Sequence, residues 1–301
     1  MISISEIRNI FRGKVSLNEP LAPFTTFRIG GVADYYVEPE DAQDVLSIVN
    51  YMSSKGLPLY VMGNGSNILI SDDGIRGVVI NLEKNFSYLK HEENKIVSGS
   101  GVKMAKFADF AIKNNYAGVE MLAGIPATIG GALVMNAGAY GGETSTYVNE
   151  VTVVINGTIK HFSKDECGFV YRNSNLKSSI ILQAEFNLPS GNKEELMKHR
   201  KELLLKRNEA QPVEIPNAGC IFKNPENNFA AKLIEESGMK GRSYGGAMVS
   251  EKHANFILNH NNAKANDVLE LVRIIKKAVR EKTGVELEME VKLVGFEEVM
   301  N

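Results

Sequence analysis

The sequence predicts an α+β fold with more than one domain. Three observations carry that expectation. Apolar residues recur at helical spacing in some segments, and alternate or run together in shorter ones. Val151–Phe162 places Asn156-Gly157 between two strand-like runs, the signature of a hairpin with a type I′ turn. A chain of 301 residues also has room for about two domains and a sizeable core.

Bulk chemistry narrows the class of protein. With 44% apolar and 23% charged residues, the composition is that of an ordinary globular protein. A net charge of −2 gives no reason to expect a polyanionic partner, so nucleic acid and membrane surfaces are disfavoured. The N-terminal residues mix Glu6, Arg8 and Arg12 among apolar ones and lack a signal core, so a cytoplasmic protein is expected. Cys167 and Cys220 are far apart and show no ligand spacing, nor do the five histidines. No disulfide framework and no metal site are expected.

In chain order, the first twenty residues predict a short helix and then a loop ending at Pro20 and Pro23. A Gly30-Gly31 turn leads into a strand-like run to Val37. Asp41 can cap a helix with Val45, Ile48, Val49 and Met52 on its apolar face, closed near Gly56. Pro58 starts a strand over 59–62, and further apolar strands flank the turn Asp72-Asp73-Gly74. Lys103–Asn115 is an amphipathic helix and Ser179–Leu188 a strand. Glu194–Glu209 is a charged helix with the character of a domain connector. Ala230–Ser237 and Asp267–Thr283 are helices stopped by Gly238 and Gly284.

Two neutral glycine-rich stretches stand outside these patterns. The loop Gly63-Asn64-Gly65-Ser66-Asn67 supplies many neutral hydrogen-bond donors and no competing carboxylate, a composition that suits a pyrophosphate. It follows a strand and precedes another, so it is neither a Rossmann fingerprint nor a Walker loop, and a plain hairpin connection is the alternative. Met121–Gly142 has six glycines, five alanines and no acidic or basic residue. Pro126, Gly130-Gly131, Asn136 and Gly138 interrupt every apolar run, which excludes a membrane span. Close-packed core filler and a cofactor cradle remain equal readings of it.

Three further segments carry reactive groups. Tyr171-Arg172-Asn173-Ser174 is a polar turn before a strand. The proline-bounded segment 216–225 holds Cys220 after a glycine and shortly before Lys223 and Asn224. Near the C-terminus, Val285, Leu287, Met289, Val291 and Leu293 alternate with Glu286, Glu288, Glu290 and Lys292, which predicts a strand with three glutamates on one face. Periodicity treats those glutamates alike.

Taken as an ordered set from about Pro20 to Phe296, these motifs resemble the UDP-N-acetylenolpyruvoylglucosamine reductase family. The resemblance implies a two-subdomain FAD-binding domain of the vanillyl-alcohol-oxidase/p-cresol-methylhydroxylase type over residues 22–190. It implies an α+β substrate domain over 191–301, after an N-terminal helix and loop over 1–21. It implies FAD as cofactor and NADPH as hydride donor, reducing UDP-N-acetylglucosamine enolpyruvate to UDP-N-acetylmuramate. No histidine lies in either glycine-rich stretch, so the FAD is expected to be non-covalent.

Residue by residue, the resemblance assigns cofactor contacts to Gly63, Asn64, Gly65, Ser66, Asn67, Ala123, Gly124, Pro126, Gly130, Gly131, Asn136 and Gly138. Arg172 matches the arginine that binds the substrate carboxylate, and Glu290 matches the family's acidic residue. Cys220 stands where the family's proton donor is usually serine. Lys223 and Asn224 match substrate-contacting positions, while Lys292 stands where arginine is common. The short connection after Leu188 resembles the class lacking an extra tyrosine-bearing loop. An FAD-dependent oxidase on the same fold is the alternative activity.

Overall fold

The computed structural model describes residues 3–296. Ser3 starts helix α1 (Ile4–Ile10): its hydroxyl accepts the Glu6 N–H, and the Glu6 carboxylate accepts the Ser3 N–H. The next segment, expected as loop, is strand β1 (Lys14–Pro20). Every residue of it is exposed or half-buried, so no buried face marks it in the sequence, and a proline suits its place at a sheet edge.

Strand β2 (Val32–Glu38) and helix α2 (Ala42–Lys55) follow as expected. Asp41 accepts the N–H groups of Gln43 and Asp44, and Gly56 closes the helix at φ +62°. Then come β3 (Leu59–Met62), β4 (Ile68–Ile70), β5 (Ile75–Asn81), β6 (Leu89–Glu92), β7 (Lys95–Gly99) and α3 (Met104–Lys113). The stretch Met121–Gly142 resolves into a short helix α4 (Ile129–Val134) and a ribbon of β8 (Gly138–Ala139) with β9 (Gly142–Glu143). Strands β10 (Val148–Ile155) and β11 (Thr158–Ser163) form the expected hairpin, with Asn156 at φ +51° and Gly157 at φ +70°. The chain continues through β12 (Ile180–Phe186), α5 (Lys193–Ala210), β13 (Asn217–Cys220) and α6 (Ala230–Glu236). It ends through β14 (Ser243–Tyr244), β15 (Ala247–Val249), β16 (Phe256–Asn259), α7 (Ala265–Thr283) and β17 (Lys292–Val294).

The chain forms two compact units. Among the described residues, one comprises 3–17, Tyr35–Asn64 and Gly77–Arg207, the other Asn18–Asp34, Gly65–Arg76 and 208–296. In the first unit a five-stranded sheet runs β11-β10-β12-β7-β6. Strand β12 is apolar on both faces: Ile181 and Ala184 join a core with Phe107 and Leu133, whereas Ile180 and Leu182 join a core with Ile48 and Val78. Two-sided burial explains the three consecutive apolar residues Ile180, Ile181 and Leu182. Strands β3 and β5 pair in parallel, with Leu59 opposite Val78.

In the second unit a four-stranded sheet runs β13-β16-β15-β14, and β4 pairs in parallel with β17. Helix α7 buries Val268, Leu271, Val272, Ile275 and Val279 in a core with Phe222, Leu233 and Ile257. The start of α7 is capped from a distant turn: Asp72 accepts the N–H groups of Ala265 at 2.9 Å and Asn266 at 3.2 Å.

One expectation is shortened. The alternating run from Val285 forms a regular strand only over Lys292–Val294, with an isolated bridge from Met289 to Phe222 before it. There the backbone spends its groups on an irregular partner: Lys223 N–H donates to Glu288 C=O at 2.9 Å and Glu290 N–H to Ile221 C=O at 2.8 Å.

Candidate active site

In the first unit the two glycine-rich stretches meet. Strand β3 delivers Gly63 against Thr128, so close that a Cβ on Gly63 would stand 2.2 Å from the threonine Oγ1. Asn64 donates from Nδ2 to the Pro126 carbonyl at 2.6 Å. The flanking strands β3 and β4 do not pair with each other, because β3 lies on β5 and β4 on β17. The hairpin alternative for this loop therefore fails. Replacing Gly63 by alanine is expected to cost roughly 1–3 kcal/mol, since the added methyl overlaps a capped helix start. Chemical denaturation reads that loss, and an unchanged midpoint would show that the contact yields freely.

A third segment joins these stretches, one that sequence reasoning passed over. Ser100 lies between Gly99 and Gly101 after β7 and accepts the Gly130 N–H at 2.8 Å through its carbonyl. A Cβ on Gly130 would touch the Ser100 Cβ at 3.0 Å. Ser100 is 3% exposed, and its Oγ has no hydrogen-bond partner. The run Gly99-Ser100-Gly101 was the available signal. Gly124 lies against the Arg207 side chain, and Ala123 is buried. Pro126 and Gly131 are exposed, and Gly131 N–H reaches only the Thr128 hydroxyl, at 3.4 Å.

Asn136 and Gly138 serve a neighbouring turn. Asn136 is fully buried, and its amide donates to Glu143 and to the Val170 carbonyl while accepting from Ser145. Gly138 offers its carbonyl to Arg172 Nη2 at 3.2 Å, and the guanidinium carbon stands 4.9 Å from the Tyr171 ring centre. Arg172 itself sits at φ +54°, in the left-handed region.

The second unit holds the remaining candidates. Gly65, at φ +57°, packs so that a Cβ would meet the Phe24 carbonyl oxygen at 2.4 Å, and its own carbonyl accepts the Thr26 N–H. Ser66 and Asn67 are half-buried. Asn67 donates from Nδ2 to the Glu290 carbonyl at 3.3 Å and accepts the Lys292 N–H at 3.0 Å through its carbonyl.

A bulge between Asn217 and Cys220 interrupts the pairing of β13 with β16, with Gly219 at φ +76°. Asn217 Oδ1 accepts the Gly219 N–H at 2.9 Å and so shapes the bend. Asn255, 3% exposed, clamps the following residues: it accepts the Phe222 N–H and donates to the Phe222 carbonyl at 2.9 and 2.8 Å. Cys220 is half-buried. Cys167, by contrast, is fully buried and its thiol is pushed up to about 11, chiefly by burial, so it is inert.

The three glutamates left equal by periodicity now differ. Glu286 and Glu288 are 60% and 72% exposed and pair with Arg280 and Lys223 respectively. Glu290 is half-buried, and its main chain is fixed to Ile221, the residue after Cys220. Asn224 holds the start of α6, its Oδ1 accepting the Ala230 N–H at 3.1 Å.

These residues fit FAD. Gly63 forms a cradle that a Cβ would fill, Ser100 carries an orphaned buried hydroxyl, and neither glycine-rich stretch contains a carboxylate to repel a pyrophosphate.

Comparisons with known proteins agree at each level. Residues 33–163 match the family described as "FAD binding domain", and residues 211–294 match "UDP-N-acetylenolpyruvoylglucosamine reductase, C-terminal domain". The protein is thus an α+β FAD-binding protein with a second, reductase-type domain. A reductase of that name from Caldanaerobacter subterraneus subsp. tengcongensis is 43% identical, covering 98% of each chain. One from Chloroherpeton thalassium is 41% identical, covering 99% of each. The crystal structure of the reductase from Thermus caldophilus superposes with a TM-score of 0.80 at 34% identity, covering 94% of this chain and 99% of that one. The chain belongs to the UDP-N-acetylenolpyruvoylglucosamine reductase family.

Proposed function

We propose that this protein is an NADPH-dependent flavoenzyme of peptidoglycan precursor synthesis, reducing UDP-N-acetylglucosamine enolpyruvate to UDP-N-acetylmuramate in the cytoplasm. Residues 22–190 would form its FAD domain and 191–301 its substrate domain, after an N-terminal segment over 1–21. The observation that supports this reading most is the hydrogen bond from Glu290 N–H to Ile221 C=O. It sets the main chain of an acidic residue, just before strand β17, beside the segment carrying the Cys220 thiol. No helix among the described residues is long and apolar enough to cross a membrane.

FAD would lie on Gly63, Asn64, Gly65, Ser66 and Asn67, with Ala123, Gly124, Pro126, Gly130, Gly131 and Ser100. The Asn64 and Asn67 amides each give one N–H to a carbonyl of the protein, so main-chain N–H groups, the Ser66 hydroxyl and the second amide N–H groups would be the loop's donors to a pyrophosphate. The chemistry that FAD supplies when bound is hydride transfer, with NADPH as donor and the terminal carbon of the enolpyruvyl group as acceptor.

The protein's own residues handle the charge and the proton. Hydride addition to the double bond leaves an electron pair on the ether-bearing carbon, delocalised into the carboxylate. Arg172 binds that carboxylate and stabilises the growing negative charge, and Glu290 in its protonated form donates a second hydrogen bond to it. The Cys220 Sγ–H then gives its proton to the carbon and recovers one from solvent. A thiol has a reference pKa of about 8.5, so it is mostly protonated at neutral pH. Lys223 and Asn224 would contact the substrate's phosphate and its sugar or uracil.

The reading is tested by reducing the purified protein anaerobically with NADPH and then adding the enolpyruvyl sugar. Rapid reoxidation of the flavin is expected. Reduced protein that ignores the sugar but reacts quickly with oxygen would instead be an oxidase.

A further inference from the structure

We propose that Asn136 is a positioning residue for Arg172, clamping the turn that carries it, with Glu143 setting the orientation of the clamp. The inference rests on the role given above to Arg172.

Arg172 occupies a conformation that side chains with a Cβ avoid, so its neighbours must impose it. The turn closes on itself through reciprocal main-chain bonds: Val170 N–H donates to Asn173 C=O at 3.0 Å and Asn173 N–H to Val170 C=O at 3.1 Å. Three contacts then tie it to the segment from α4 to β8. Ser174 Oγ donates to the Val134 carbonyl at 2.8 Å, Arg172 Nη2 to the Gly138 carbonyl, and Asn136 Nδ2 to the Val170 carbonyl at 3.2 Å.

The asparagine suits this task in two ways. Its backbone is left-handed, at φ +41°, which asparagine tolerates better than most residues. Its amide can also face only one way. Glu143 Oε2 lies 2.9 Å from Nδ2, and an ionised carboxylate can only accept, so the NH₂ group must point at it. The oxygen then accepts Ser145 N–H at 3.2 Å, and the second N–H is aimed at Val170. With both donors used and 0% exposure, the side chain has nothing left for a cofactor. Gly138 completes the arrangement: a Cβ there would come within 3.2 Å of Glu143 Cγ and 3.4 Å of Arg172 Nη1.

Asn136→Asp keeps the shape but sets a carboxylate oxygen against both Glu143 and the Val170 carbonyl. Adding Glu143→Gln restores a donor facing it. In the full-length, FAD-loaded protein, Asn136→Asp is expected to slow flavin reoxidation by the enolpyruvyl sugar about 10²-fold, the usual effect of misplacing a group by about 1 Å. It should weaken binding of UDP-N-acetylmuramate and affect reduction by NADPH far less. Only part of the loss should return in the double variant, because an oxygen still faces the Val170 carbonyl, and Glu143→Gln alone should show a smaller loss in the same half-reaction than Asn136→Asp. Amide exchange at Asn173 should quicken in Asn136→Asp. That readout holds whichever substrate the protein takes, so it separates failure of this inference from failure of the proposed activity. Parallel loss of both half-reactions with FAD content, or unchanged exchange at Asn173, would overturn the positioning role.

Discussion

Replacing Cys220 by alanine is expected to slow flavin reoxidation by the enolpyruvyl sugar by roughly 10²–10⁴, the reach of a positioned general acid. Reduction by NADPH should stay nearly intact, because that half-reaction requires no proton from the thiol. The physical ground is local. A bulge with Gly219 at φ +76° turns the chain at Cys220, and Asn255 clamps Phe222 two residues on. The segment carrying the thiol is thus built to hold a direction. Rapid-mixing absorbance of the flavin separates the two halves, and equal slowing of both would remove Cys220 from the proton-donor role. Thiol modification offers a second route in the unaltered protein: Cys167 is buried with its thiol pushed up to about 11, so a thiolate-directed reagent should single out Cys220.

Changing Glu290 to alanine should slow the same half-reaction on the order of 10²-fold, comparable to losing one charge-stabilising donor. The same change at Glu286 or Glu288 should do far less. Glu286 and Glu288 lie mostly in water beside Arg280 and Lys223, where exposed pairs contribute little. Glu290 is half-buried on backbone anchored to Ile221 and Asn67. Three variants measured side by side decide the matter, and equal effects would make Glu290 one more residue of a solvated face.

Much of the fold was legible because its signals are local. Asp41 and Gly56 mark the ends of α2 through hydrogen bonds within one turn. Asn156-Gly157 writes its hairpin through two left-handed residues. Strand β1 escaped because neither of its faces is buried and it ends in proline. The C-terminal run was read as one long strand because alternation was its only signal. Its backbone instead bonds irregularly to 221–223 before joining β4 over three residues, Lys292–Val294.

The candidate site was legible as a set of motifs, less so as contacts. Asn64, Asn67 and Asn136 look alike in the sequence as polar members of glycine-rich stretches, yet the structure has all three holding carbonyls of the protein. Ser100 was passed over because a lone serine between glycines is common, and its significance lies in touching Gly130.

By itself the sequence determined the α+β class, most kinds of element and the caps of α2, because periodicity and capping are properties of neighbouring residues, and the resemblance of its ordered motifs identified the family. Only the tertiary structure decided that Asp72 caps α7, that Gly63 must lack a side chain beside Thr128, and which glutamate leaves the solvated face. It also decided that a buried asparagine holds the strained turn of Arg172. Each of these depends on groups far apart in the chain being brought within hydrogen-bonding or van der Waals reach, and no local pattern encodes such a distance.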